Sequence, residues 1–301
     1  MARVAFLGSP EPAVQCLAAL VEAGHDVALV VTEPDKRRGR GSATAPTPVK
    51  RLAADLGIPV TDRIDDVLGA GVDLGVVVAF GRLIRPVVLD RLLMVNVHFS
   101  LLPRWRGAAP VERAILAGDD MTGVCLMQLD EGLDTGPVYA RVETPILPGE
   151  SAKALGDRLA ALGSALLVES LSAGVSSLAT PVPQSGEPTY AAKIAPAELR
   201  IDWSRTAVEI ERLVRVGRAW TTFRGSRLIL WEASLATGPA SPWPEAADPG
   251  HAAQPGSLVD RLVMTGDGWL RIALVQVEGR QRQDATAWLR GARMAPGDAF
   301  A

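Results

Sequence analysis

Two polar side chains two residues apart, Asn96 and His98, stand inside an otherwise apolar run of Leu92, Leu93, Met94, Val95, Val97 and Phe99. The run ends in a loop rich in Pro, Arg and Gly, as a strand leading into a loop would. Side chains alternate across a strand, so this amide and imidazole leave one face, close enough to act on one small group. Asn96 can donate a hydrogen bond to an oxygen that becomes negative, and His98 can take or give a proton near neutral pH. Asp134, in an acidic turn with Asp130 and Glu131, brings a carboxylate able to orient an imidazole.

Each of these residues also has an ordinary structural reading. A His in an apolar strand is more often a packed core residue than a catalyst, and carboxylates in a turn mostly face water. Of the three His in the chain, only His98 closes an apolar strand beside an Asn and ahead of a Gly/Pro loop. Strand ends in open α/β sheets are where such loops carry sites.

The elements that must position these groups follow the chain. Residues 3–7 read as a strand, and Ser9 as the cap of a helix that starts at Pro10 and stops at Gly24. Residues 27–31 read as a second strand, so the opening is a βαβ unit. It has one glycine at the first turn in place of a dinucleotide fingerprint, which argues against NAD. A loop follows with Lys36, Arg37, Arg38, Gly39, Arg40 and Gly41 and no apolar periodicity. It leaves the edge of the sheet where His98 is expected, and its glycines suit close approach of an anion. Residues 48–56 read as a helix, 58–60 as a short strand and 73–80 as a strand buried on both faces. Pro110 opens a further helix, residues 122–129 return as a strand, and a helix capped by Ser151 runs to residue 173. From residue 174 to 188 the composition shifts to Ser, Pro, Thr and Gly, as in a linker. Thr206 and Glu209 form a capping box ahead of Ile210, Leu213 and Val214. Strands are expected at residues 228–231, 259–264 and 270–274, consistent with a small β-barrel.

The run NVHFSLLPRWRGAAPVERAI with the later Leu133-Asp134-Thr135-Gly136 resembles the signature of the folate-dependent formyltransferases, most closely those acting on initiator tRNA. The likeness extends over the chain through VAFLGSP, the GRG loop, VVVAFG, YAAKI and RIDW. The resemblance implies a Rossmann-like, mostly parallel α/β catalytic domain at residues 1–175, a linker at 176–202 and an OB-like β-barrel at 203–301 that contacts tRNA. It implies transfer of a formyl group from 10-formyltetrahydrofolate, as donor substrate, to the α-amine of initiator methionyl-tRNA. Asn96, His98 and Asp134 are then the catalytic residues. Phe80, Gly81, Ile84, Ser100, Leu101, Leu102 and Pro103 are the folate residues, and Lys36, Arg37, Arg38 and Arg40 the tRNA residues. An amino-sugar nucleotide as acceptor is the nearest rival, and a catalytically silent folate- or RNA-binding module a second; the GRG loop favours tRNA.

Composition bounds the rest. A chain of 301 residues is long enough for two domains, and 48% hydrophobic content excludes wholesale disorder. A net charge of -3 argues against coating nucleic acid through bulk positive charge, so RNA contacts must be local; Arg212, Arg215, Arg218, Arg224 and Arg227 are candidates for such a face. The two Cys read as buried thiols in a reducing compartment. No His or Cys spacing suggests a metal. The first residues run into a strand without an apolar leader and no run is long enough to span a bilayer, so a cytoplasmic chain without membrane contact is expected; a monomer is the accompanying expectation, independent of these features.

Overall fold

The computed structural model describes residues 1–37, 44–236, 254–295 and 298–301. Seven strands form one sheet: β1 (Arg3–Gly8), β2 (Asp26–Val31), β3 (Val60–Thr61), β4 (Leu74–Val78), β5 (Met94–His98), β6 (Met121–Gln128) and β7 (Val138–Pro145). Their order is β7-β6-β5-β4-β1-β2-β3. The five strands from β1 to β5 pair in parallel, while β6 pairs antiparallel with both β5 and the edge strand β7. Every residue of β4 and β5 is buried, the continuous apolar pattern of strands covered on both faces.

The crossovers are α1 (Glu11–Glu22), α2 (Pro48–Asp55) and α3 (Pro86–Leu89), followed later by α4 (Pro110–Ala117) and α5 (Ala152–Ser170). In α1, Ala13, Cys16, Leu17 and Leu20 repeat at helical spacing and are the residues buried. Ser9 is not its cap: Pro10 holds that position, and the Ser9 hydroxyl turns away to accept from Thr32 Oγ1 at 3.1 Å and from the Glu33 N–H at 3.0 Å. A proline at the start leaves one fewer N–H needing a cap, which frees Ser9 to tie β1 to the end of β2.

Helix α5 decides which face of β5 is available. Its Gly163 sits so close that a Cβ there would come within 2.7 Å of Val97 and 3.3 Å of Val124. Val97 and Phe99 therefore face the helix, and alternation turns Asn96 and His98 to the opposite face. There they continue the surface of Met94, which packs with Ala5, Leu7 and Val77.

Contacts divide the chain into two compact units: Met1–Arg113 with Asp120–Ile146 and Ala154–Lys193, and Ala114–Asp119 with Leu147–Lys153 and Ile194–Ala301. The Ser/Pro/Thr segment does not run free. Val182 bridges Val138, and Tyr190 and Ala191 pair in parallel with Arg106 and Gly107.

In the second unit, α6 (Ala207–Val216) starts at the Thr206–Glu209 capping box, with the Thr206 hydroxyl accepting from Glu209 N at 3.2 Å and the Glu209 carboxylate from Thr206 N at 3.1 Å. Strands β8 (Ala219–Phe223), β9 (Ser226–Leu235), β10 (Leu258–Val259), β11 (Leu262–Met264) and β12 (Trp269–Val277) form a sheet in the order β8-β9-β12-β11-β10, with β13 (Gln283–Asp284) beside β12. Residues 259–264, expected as one strand, are a hairpin, because Asp260 turns at φ 52° between β10 and β11. The open edges meet through the C-terminus: Phe300 pairs with Phe223 of β8, and Ala299 with Ser257 next to β10. The sheet thus closes into a small barrel. Helix α7 (Ala285–Ala292) contributes Trp288 to a cluster in which Trp203 and Phe300 stack at 5.3 Å and Phe223 meets Trp288 edge-on at 5.1 Å. Among the described residues no helix is long and apolar enough to cross a membrane.

Candidate active site

The site is assembled where two loops, one after β5 and one after β6, reach the free face of β5. Asn96 and His98 are 9% and 5% exposed, so both polar groups are held in a region of low solvent access. Their partners across the antiparallel ladder are Met127 and Cys125, which with Leu102 form an apolar patch beside them. The loop after β6 folds back over this face. Asp130 organises its turn, accepting from Gly132 N at 3.1 Å and from Thr135 Oγ1 at 2.6 Å. Asp134 then enters the site at φ 50°, a left-handed conformation that Asp tolerates better than most residues.

The Asp134 carboxylate is fixed from two sides. One oxygen accepts the Gly107 N–H at 2.8 Å, and the other lies 3.4 Å from the Asn96 amide nitrogen. His98 Nδ1 is 3.7 Å from the first of these oxygens, an electrostatic contact longer than a direct hydrogen bond. His98 Nε2 lies 2.9 Å from the Trp105 carbonyl, which can only accept, so Nε2 carries the proton. An amide donor, an imidazole and an oriented carboxylate therefore converge, as the spacing of Asn96 and His98 predicts.

The remaining candidate residues separate by position. Strands β4 and β5 are neighbours and parallel, so residues 79–85 and 99–107 leave the same sheet edge. Phe80 and Ile84 are buried in the cluster with Leu7, Val31, Val77 and Leu92, while Gly81 between them turns at φ 71° and is exposed. Ser100 is fully buried and donates to the Arg104 carbonyl at 2.6 Å, a bond that shapes the loop. Leu101 is half-buried, Leu102 lies on the Cys125 and Met127 patch, and Pro103 accepts from Thr189 N at 3.2 Å. The backbones of Lys36 and Arg37 form a short ribbon with Ala45 and Thr44; Arg38 and Arg40 lie outside the described residues. That ribbon follows β2, three strand spacings from β5 or roughly 14 Å along the same edge.

Two of the five arginines expected on a basic face are committed elsewhere. Arg215 donates to the Glu150 carbonyl at 2.8 Å and pairs with Glu211 at 3.5 Å. Arg224 grips Asp298 through Nε at 2.9 Å and Nη2 at 2.5 Å and donates to the Ala292 carbonyl. Both guanidiniums brace the second unit, and Arg224 ties the β8–β9 turn to the C-terminal segment at Asp298. Sequence reasoning missed the Gly107 amide, the Trp105 carbonyl and the Gln184 and Thr189 side chains. The first two act through backbone, which no side-chain pattern signals.

Known proteins resemble the chain over most of its length. A formyl transferase family model matches residues 2–171, and a model of the formyl transferase C-terminal domain matches residues 193–293. The methionyl-tRNA formyltransferase of Ruegeria pomeroyi is 42% identical over 305 residues, covering 96% of this chain and 97% of that one. That of Phenylobacterium zucineum is 44% identical over 313 residues, covering 98% of both. The fold is also that of an N-formyltransferase from Helicobacter canadensis, solved with folinic acid and dTDP-3-aminofucose, at a TM-score of 0.67 and 16% identity over 94% of this chain and all of that one. Two domain models in series over nearly the whole length, and relatives of this identity at both ends, establish that the chain belongs to the formyltransferase family, with the methionyl-tRNA formyltransferases as its relatives.

Proposed function

We propose that the chain transfers the formyl group of 10-formyltetrahydrofolate to the α-amine of methionine carried by initiator tRNA, acting as a cytoplasmic monomer. The chemistry rests on one observation, an Asp134 carboxylate tied to the Gly107 N–H while facing both Asn96 and His98. The acceptor rests on the full-length likeness to methionyl-tRNA formyltransferases.

The amine attacks the formyl carbon, a C–N bond forms, and the carbonyl oxygen becomes negative while the amine nitrogen becomes positive. Asn96 donates its amide hydrogen to that oxygen, an interaction whose removal raises the barrier by about 3 kcal/mol. The surplus proton of the amine passes to the Asp134 and His98 pair and on to the departing nitrogen of tetrahydrofolate, so the intermediate collapses to the N-formylated α-amine and free tetrahydrofolate. Because His98 Nε2 already donates to Trp105, its Nδ1 and the Asp134 carboxylate are the groups left to handle this proton. The loops of Phe80, Gly81 and Ile84 and of residues 100–103 border the folate, and the basic loop of Lys36, Arg37, Arg38 and Arg40 receives the tRNA backbone, with the barrel as a tRNA contact of its own.

The test is formyl transfer from 10-formyltetrahydrofolate to charged initiator tRNA, run beside an amino-sugar nucleotide acceptor. The native chain is expected to formylate the tRNA, His98→Ala to abolish turnover, and Arg40→Ala to weaken the tRNA reaction through KM. Formylation of the sugar alone would overturn the acceptor; an active His98→Ala enzyme would overturn the catalytic assignment.

A further inference from the structure

Residues 182–192, which begin inside the stretch of linker-like composition, make polar contacts with both loops that carry the site. Gln184 uses its whole amide. Its oxygen accepts from Arg106 Nε at 3.0 Å and Nη2 at 2.7 Å, and its nitrogen donates to the carbonyls of Asp134 and Gly136, each at 2.8 Å. Five residues on, the Thr189 hydroxyl accepts from Trp105 N at 2.9 Å and the Thr189 carbonyl from Arg106 N at 2.9 Å.

Trp105 and Asp134 are the two residues facing the His98 ring nitrogens, and both are non-glycine residues in left-handed backbone, at φ 63° and 50°. Such conformations persist only where surrounding contacts over-determine them. At Trp105 the N–H goes to Thr189 and the carbonyl to His98. At Asp134 the carbonyl goes to Gln184 and the carboxylate faces His98. One side of each strained residue is thus held by the segment and the other side is turned to the imidazole.

We infer that residues 182–192 are a positioning strap for the formyl-transfer site, with Gln184 setting Asp134 and Thr189 setting Trp105. The inference rests on the reading of His98 and Asp134 as catalytic. Both donors and the acceptor of Gln184 are engaged by protein groups, so it acts through Asp134 and not on substrate. The amide is also specific. A carboxylate at this position keeps the Arg106 contact but brings only acceptors to two carbonyl oxygens, and an alkyl side chain loses both halves.

The experiment is a double-mutant cycle on the full chain, with kcat, both KM values and the thermal midpoint measured for Gln184→Glu, Asp134→Asn and the pair. Gln184→Glu is expected to lower kcat by on the order of 10²-fold, since small misplacement of a reacting group has effects of that size. Both KM values stay within about twofold, because substrate binding is not what the strap controls. In the Asp134→Asn background the same substitution lowers kcat by less than about twofold, because its route of action is already gone. Thr189→Val, of similar shape and without the acceptor, tests the other end by the same kcat-against-KM split and keeps the inference exposed should Gln184→Glu fold poorly.

Gln184→Glu and Thr189→Val enzymes with native kcat would overturn the strap. So would kcat losses that multiply undiminished in the pair, which is what a general loss of stability produces. Native kcat in Asp134→Asn alone would instead overturn the catalytic reading of Asp134, a separate outcome.

Discussion

Gly107 donates its backbone N–H to the Asp134 carboxylate at 2.8 Å from a conformation, φ 118°, that side-chain-bearing residues rarely adopt. It also packs so tightly that a Cβ would come within 2.9 Å of the Ala191 carbonyl oxygen. Glycine is thus required twice over, once for the backbone angle and once for the approach of residue 191. Gly107→Ala is expected to destabilise the fold by about 2 kcal/mol through strain. It should also lower kcat by roughly tenfold or more as the Asp134 anchor shifts, against a smaller change in KM. Urea denaturation and steady-state kinetics on the same preparation check both.

Asn96 gives a prediction with a charge in it. Its amide nitrogen lies 3.4 Å from an Asp134 oxygen, so Asn96→Ala removes a donor while Asn96→Asp sets two carboxyls against each other. The first is expected to reduce kcat by about 10²–10³-fold, the range for loss of one oxyanion donor. The second should be worse at neutral pH, and the gap between the two should narrow as pH falls, because one of two adjacent carboxyls takes up a proton early and regains a donor. A pH–kcat profile of both variants decides it. Parallel profiles would mean that residue 96 does not face Asp134 during turnover.

Much of this site was open to a reader of the residues alone, and the reason is periodicity. Asn96 and His98 stand on one face because strands alternate, and Thr206 with Glu209 caps α6 because a hydroxyl and a carboxylate three residues apart satisfy each other's backbone. What escaped has no period. Gln184 meets Arg106 and Asp134 across 78 and 50 residues, inside a stretch whose composition suggests a tether. Gly107 and Trp105 act through N–H and C=O groups that every residue type shares. The arginines misled in the opposite sense: charge in a sequence suggests a partner outside the fold, whereas Arg215 and Arg224 are held by carbonyls and carboxylates of their own chain.

The two cysteines are expected to be silent in the native protein. Both are fully buried, and burial pushes each thiol up to about 11, with Ser164 opposing the shift slightly at Cys16 and a backbone hydrogen bond from Leu102 doing so at Cys125. Iodoacetamide at pH 8 should label neither in the folded chain and both in guanidinium. The sign of the pH effect follows. A thiol whose folded pKa lies above its unfolded value of 9.0 contributes fully below pH 9, and that contribution is lost as pH rises toward 11. The loss is about 3 kcal/mol per thiol at the upper end. Urea midpoints at pH 8 and 10 should draw together when Cys16 and Cys125 are both replaced by Ala; an undiminished difference would assign the alkaline loss to other groups.

At the acid end the corresponding group is His25, away from the site. It is 7% exposed, and its Nδ1 accepts the Ala2 N–H at 3.2 Å at the start of β1. Burial lowers its pKa, and the nearby α-amino charge lowers it further. A histidine with depressed folded pKa is held neutral by the fold, so its contribution is present above the ordinary value of 6.5 and is lost as pH falls below it. Protonation at Nδ1 also replaces the acceptor with a donor facing the Ala2 N–H. His25→Gln retains an acceptor that does not titrate in this range, so its urea midpoint should fall less between pH 7 and pH 5 than that of the native chain. Formyl transfer in the same variant should keep its native pH profile, because His25 lies at the amino edge of the sheet, where α1 leads into β2, while the site lies toward the carboxyl ends of its parallel strands.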